Sequence, residues 1–115
     1  MGSPADLAAI EGRLQAILEP YRSLLEPATI YGIPTLRRSG AKAHEWFAFV
    51  KPASKHVSFF LMPIVTWPDL LSGCSPSLAH ARKAKSAFTF TSLDEALATD
   101  LEALVARSYL RYVGA

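Results

Sequence analysis

Cysteine is nearly absent from this chain of 115 residues: Cys74 stands alone, so no internal disulfide can form, and a reducing, cytoplasmic setting is the expectation. Charge is also sparse, at 19% of residues with a net +2, while half of the chain is apolar, a composition that excludes intrinsic disorder. No apolar run approaches the roughly 20 residues that would span a bilayer. The N-terminus lacks the basic flank and apolar stretch of a secretory signal. Asp6 stands where a myristoylation motif wants Ser or Thr, and the last residues, Gly114-Ala115, carry no prenylation Cys. No Gly-x-x-x-x-Gly-Lys loop, no Gly-x-Gly-x-x-Gly after a strand and no Gly-x-Ser-x-Gly elbow occurs. Nucleotide hydrolysis, dinucleotide-dependent redox chemistry and α/β-hydrolase chemistry therefore lack support, and a non-enzymatic protein without a cofactor is expected.

What is present fits one domain over residues 1–115, long enough to bury about two-thirds of its unfolded surface. Ser3, Pro4 and Asp6 form a helix start, and Leu7, Ile10, Leu14, Ile17, Leu18, Tyr21, Leu24 and Leu25 follow as one apolar stripe. Pro20 either kinks this helix or starts a separate short turn, and Pro27 ends the segment. Thr29–Arg38 is β-branched and aromatic but holds Gly32 and Pro34, which predicts one edge or bulged strand. Glu45–Lys51 and His56–Met62 are two further strands, joined through Pro52-Ala53-Ser54-Lys55.

Beyond Pro63 the pattern predicts short helices: one capped by Thr66, and one opened by Ser75-Pro76 that runs to about Lys83. Ala87–Thr91 reads as the last strand. Ser92 and Glu95 have capping-box spacing and launch a final helix with Leu97, Leu101, Leu104, Val105 and Tyr112 on its buried side. The order predicts an α+β fold, with an antiparallel sheet of four to five strands and the N- and C-terminal helices packed on one face.

Alternation then divides the strand residues between two faces. Phe47, Phe49, Val57, Phe59, Leu61, Phe88 and Phe90 make the helix-facing core, at roughly 1.5–3 kcal/mol each on full burial. The other face holds Tyr31, Ile33, Trp46, Ala48, Val50, His56, Ser58, Phe60, Met62 and Thr89, too apolar for a plain solvated surface. Three covers are open: the 64–83 segment with Trp67, Leu70, Leu71 and Leu78; a second copy of the chain; or a bound ligand or nucleic acid.

Charge is segregated too. Residues 1–26 and 94–115 each carry two more acids than bases, whereas 27–93 carry eight bases against Glu45 and Asp69. Either these are solvated loop charges, or they attract an anion. Arg37, Arg38, Lys55 and Lys85 would form the rim of an anionic-ligand site, and Tyr31, Trp46, His56, Phe60 and Met62 the surface for a ligand or partner. His56, beside Lys55, is the most plausible acid or base if that face is a pocket. Cys74 precedes a predicted helix, whose N-terminus lowers a thiol pKa, with His80 and Asp69 near in sequence, so it reads either as a nucleophile or as an ordinary half-buried thiol. His44, His56 and His80 have no zinc-ligand spacing.

Tyr31-Gly32-Ile33-Pro34-Thr35 with Arg37 or Arg38 after it, an aromatic strand, and then Lys55-His56-Val57 resemble the YdhG-like domain family of small bacterial proteins. Ser75-Pro76-x-Leu78 and Lys85-Ser86-Ala87-Phe88-Thr89-Phe90 are similar to that family's short helix and final strand, with Ala84 where the family often has Gly. The resemblance covers roughly residues 15 to 110. It implies a frataxin-like sandwich and, from the label some members carry, iron delivery. The carboxylates available for iron, Asp6, Glu11, Glu19 and Glu26, form no tight row, and the first strand supplies Arg37 and Arg38 instead. The leading expectation is a binding or interaction domain acting through its second sheet face, as a homodimer or toward a small ligand. Iron delivery and single-stranded nucleic-acid binding are the alternatives, the latter weakened by the modest net charge.

Overall fold

Helix α1 spans Pro4–Leu18 and buries Leu7, Ile10, Leu14, Ile17 and Leu18. The computed structural model describes residues 4–30, 32–42 and 45–114, and the backbone alone of residues 4 and 5; the expected cap Ser3 lies outside it. Pro20, which cannot continue the helical ladder, converts the chain into a 3-10 turn over Glu19–Tyr21. That turn shifts the helical phase: Leu25 is buried, while Leu24, expected on the stripe, is 58% exposed.

The region expected as one bulged strand is a hairpin, β1 (Glu26–Ile30) with β2 (Ile33–Arg37). Gly32, at φ +76°, supplies the left-handed conformation that a two-residue reversal needs. Ile30 pairs with Ile33 next to the turn, so Thr29 opposite Pro34 is a non-hydrogen-bonded pair. Pro34 therefore loses no ladder bond.

The main sheet has four antiparallel strands in the order β3 (Ala48–Pro52), β4 (Val57–Leu61), β6 (Ala87–Phe90), β5 (Arg82–Ala84). The hairpin joins it through a bridge between Arg37 and Trp46, the Phe47 N–H to Leu36 carbonyl bond (2.7 Å), and the Thr35 hydroxyl donating to the Ala48 carbonyl (2.8 Å). Helix α4 (Glu95–Gly114) and α1 touch one another and cover the same face of this sheet. The core between the layers holds Phe47, Phe59, Phe88 and Phe90 with Leu14, Ile17, Leu101, Leu104 and Val105. The α4 cap is Asp94, not Ser92: its Oδ1 accepts from Leu97 N at 2.7 Å and its carbonyl from Ala98 N.

Two expectations about the second face are corrected. First, α2 (Pro63–Thr66), a 3-10 turn (Pro68–Gly73) and α3 (Pro76–Ala81) pack on α4, and only α2 with Trp67 reaches the edge of the second face, beside Trp46, leaving Phe60 partly open. Ile64, Leu70 and Leu78 enter the helix-side core, and Arg111 ties α4 to Asp69 at 3.0 Å while lying over the Trp67 ring. The predicted second helix also stops at Ala81, and the chain extends into β5.

Second, the alternation slips by one residue in front of β3. Trp46 makes an isolated bridge and Phe47 stands between that bridge and the ladder, a bulge-like irregularity that puts Phe47 and Ala48 both inward. From there Ala48 and Val50 face the helices, while Phe49 turns to the other face. The strand register agrees: Val50 pairs with buried Phe59, and Phe49 with Phe60. Among the described residues no helix is long and apolar enough to cross a membrane.

Candidate functional site

The slip places three aromatic rings side by side on the face that the helices leave uncovered. Phe49 and Phe60, directly opposite across β3 and β4, stack nearly parallel, with centroids 4.5 Å apart and planes 10° apart. Trp46 leans on Phe49 at 4.9 Å. These rings floor an open groove of about 1170 Å³, larger than the roughly 300–1,000 Å³ of most ligand sites.

The walls come from separate elements. Thr29, Ile30 and Ile33 at the hairpin tip form one side; Lys85 and Ser86 in the β5–β6 turn form the other; Met62 and Val65 line it at the end of β4 and in α2, and Lys51 lines it from β3. Trp46 and Phe49 are buried by this packing, whereas Phe60 and Met62 keep partly open surfaces.

Of the residues expected on this surface, Trp46, Phe60 and Met62 meet in the groove, and Lys85 stands on its rim. Tyr31 lies outside the described residues. His56 does not line the groove: it stands at the end of the β3–β4 turn, just before β4, where its carbonyl accepts from Ala53 N at 2.8 Å. Lys55 is exposed in that same turn, and Arg37 does not line the groove either.

Arg38 is committed elsewhere. Its guanidinium pairs with Glu45 at 3.3 Å and lies 4.9 Å from the Tyr112 ring centroid, and its backbone N–H donates to the Tyr112 hydroxyl at 3.0 Å. That hydroxyl in turn donates to the Glu45 carbonyl. Burial raises the Tyr112 pKa above the ordinary phenol value, so the hydroxyl stays a donor. The network closes the small cavity of about 200 Å³ between Arg38, Trp46, Trp67 and Tyr112, and it fastens the end of α4 beneath the groove's edge. The cation found at the groove in place of Arg38 is Lys51.

The residues that reading by sequence missed here, Phe49 and Lys51, had one available signal. The four-residue connection Pro52–Lys55 is even in length, which forces odd-numbered residues of one strand to oppose even-numbered residues of the other. Phe49 and Phe60 had therefore to share a face.

Covalent and metal chemistry find less here. The Cys74 pKa is raised, first by burial and then by Asp100, against which Arg107 works as a smaller effect. Asp100 accepts from Ser75 N at 2.8 Å, so the start of α3 already carries a carboxylate beside the thiol. The expected lowering by the helix start is overturned. His80 is exposed on α3, and His44 lies outside the described residues. Among the described residues no three His, Cys, Asp or Glu side chains come together in a way that could hold a metal ion. No protein-family model, curated protein or solved structure matches this chain.

Proposed function

We propose that this chain is a non-enzymatic binding domain that holds a small apolar ligand on the outer face of its four-stranded sheet. The observation that carries this reading is the Trp46–Phe49–Phe60 row at the floor of a walled groove, on the face opposite both long helices. Aromatic rings on a sheet normally bury themselves under a second layer; here the layer is partial, and an apolar body completes it. The YdhG-like assignment belongs to the same proposal. Its iron-delivery variant is not carried further, because the described residues bring no oxygen-donor cluster together.

Trp46 reports on the groove directly. In a Trp67→Phe background, which removes the other tryptophan, adding the neutral dye Nile red is expected to quench Trp46 emission saturably, and Phe60→Ala is expected to weaken the effect. An unchanged Trp46 spectrum together with no dye fluorescence overturns the proposal. A spectrum that changes on dilution of the protein alone, with a matching change in sedimentation, assigns the face to a second copy of the chain instead.

A further inference from the structure

The charges around the groove say more about its occupant. Resting on the ligand-binding reading above, we infer that the ligand is an amphipathic carboxylate, its apolar body on the Phe49–Phe60 stack and its carboxylate at one end, held by Lys51 or by Lys85. The groove lining, among the described residues, contains these two lysines and no acid. Among the described residues neither lysine has an ion-pair partner, whereas Arg13, Arg22, Arg38 and Arg111 each have a carboxylate.

Strand register fixes where the two lysines stand. Lys51 is opposite Ser58, which is opposite Thr89, two rungs to one side of the Phe49–Phe60–Ala87 rung and so on the same face of the sheet. Ser86 follows on the other side of that rung, where its carbonyl accepts from Leu61 N at 2.7 Å, and Lys85 precedes it in the turn. The lysines thus occupy diagonal corners of the aromatic floor. Two unpaired ammonium groups flanking an apolar surface produce a positive potential over it, which solvent and salt screen because both side chains are exposed. Their aliphatic stems can lie along the apolar walls while the charged heads reach an anion at the rim. A neutral ligand of the same shape would leave that potential unused, and a cation would be repelled by it.

The experiment compares decanoate with decanol, both below their self-association concentrations, by Trp46 emission in the Trp67→Phe protein. Decanoate is expected to bind about tenfold tighter at low salt, an advantage that shrinks in 0.5 M salt as the charges are screened. Lys51→Gln with Lys85→Gln is expected to bring the two affinities together without changing that for decanol. Equal affinities in the parent protein, or an advantage that persists in the double variant, overturn this inference while decanol or Nile red binding leaves the groove reading standing. Failure of decanoate, decanol and Nile red alike overturns both.

Discussion

The two faces of the four-stranded sheet are built from the same residue types and end in opposite states. On the helix side, Phe47, Phe59, Phe88 and Phe90 are sealed beneath α1 and α4 with at most 2% of their surface exposed. On the groove side, Trp46 and Phe49 lean on one another and are buried by the hairpin and the start of α2, while Phe60, stacked on Phe49, keeps an open flank. Rings that interlock with two helices carry stability. A ring that keeps an open flank, as Phe60 does, holds apolar surface that leaves water only when something binds, which is what the proposed ligand reading uses.

The sharpest way to break this comparison is to truncate neighbours on opposite faces of β4. Phe59→Ala removes a fully buried ring and is expected to cost about 3–5 kcal/mol in urea unfolding. Phe60→Ala is expected to cost about 1 kcal/mol, the scale of a partner lost from an aromatic stack, while weakening Nile red binding. Equal destabilisation would mean that the groove side is core and not site.

Next comes the bolt at the groove's edge. Tyr112→Phe leaves the Arg38 amide and the Glu45 carbonyl without the hydroxyl that serves both, and is expected to cost about 1–3 kcal/mol by the same measurement. A smaller loss, about 0.5–2 kcal/mol, is expected for Asp94→Ala, which uncaps α4, whereas Ser92→Ala should be nearly silent.

The smallest effect separates the paired charges of the helix side from the unpaired lysines of the groove. Hydrogen bonding from Arg13 holds the Glu95 carboxyl below its usual pKa, and hydrogen bonding from Arg111 does the same for Asp69. Both folded pKa values lie below the unfolded ones, so their contribution is present above the ordinary carboxylate range and fades as pH falls through the lowered values. Glu95→Gln combined with Asp69→Asn is expected to flatten the acid limb of a plot of stability against pH. The lysine variants Lys51→Gln and Lys85→Gln should leave that limb unchanged.

Elements whose evidence is local were readable before any coordinates. The stripe from Leu7 to Leu18 made α1, Ser75-Pro76 opened α3 with the Ser75 side chain accepting from Leu78 N, and Val57–Leu61 and Ala87–Phe90 alternated as strands do. The candidate site is legible in part: alternation points to Trp46, Phe60 and Met62, and charge to Lys85, but alternation also admits His56, and charge admits Arg37, Arg38 and Lys55, none of which lines the groove. Arg38 shows why this fails, since its charge is consumed by Glu45 and Tyr112, the latter 74 residues away.

The sequence by itself determined two long amphipathic helices at the ends of a β-rich, basic middle, because helix stripes, prolines and alternation act within a few residues. Only the tertiary structure decided that Phe49 leaves the core, that residues 63–81 pack on α4, and that Lys51 and Lys85 stand at opposite corners of a partly open aromatic floor. The physical reason is that one irregular residue at Phe47 inverts every side chain after it in β3, and such a step is set by the pairing of Trp46 with Arg37 and of β3 with β4, not by the residues of β3 alone.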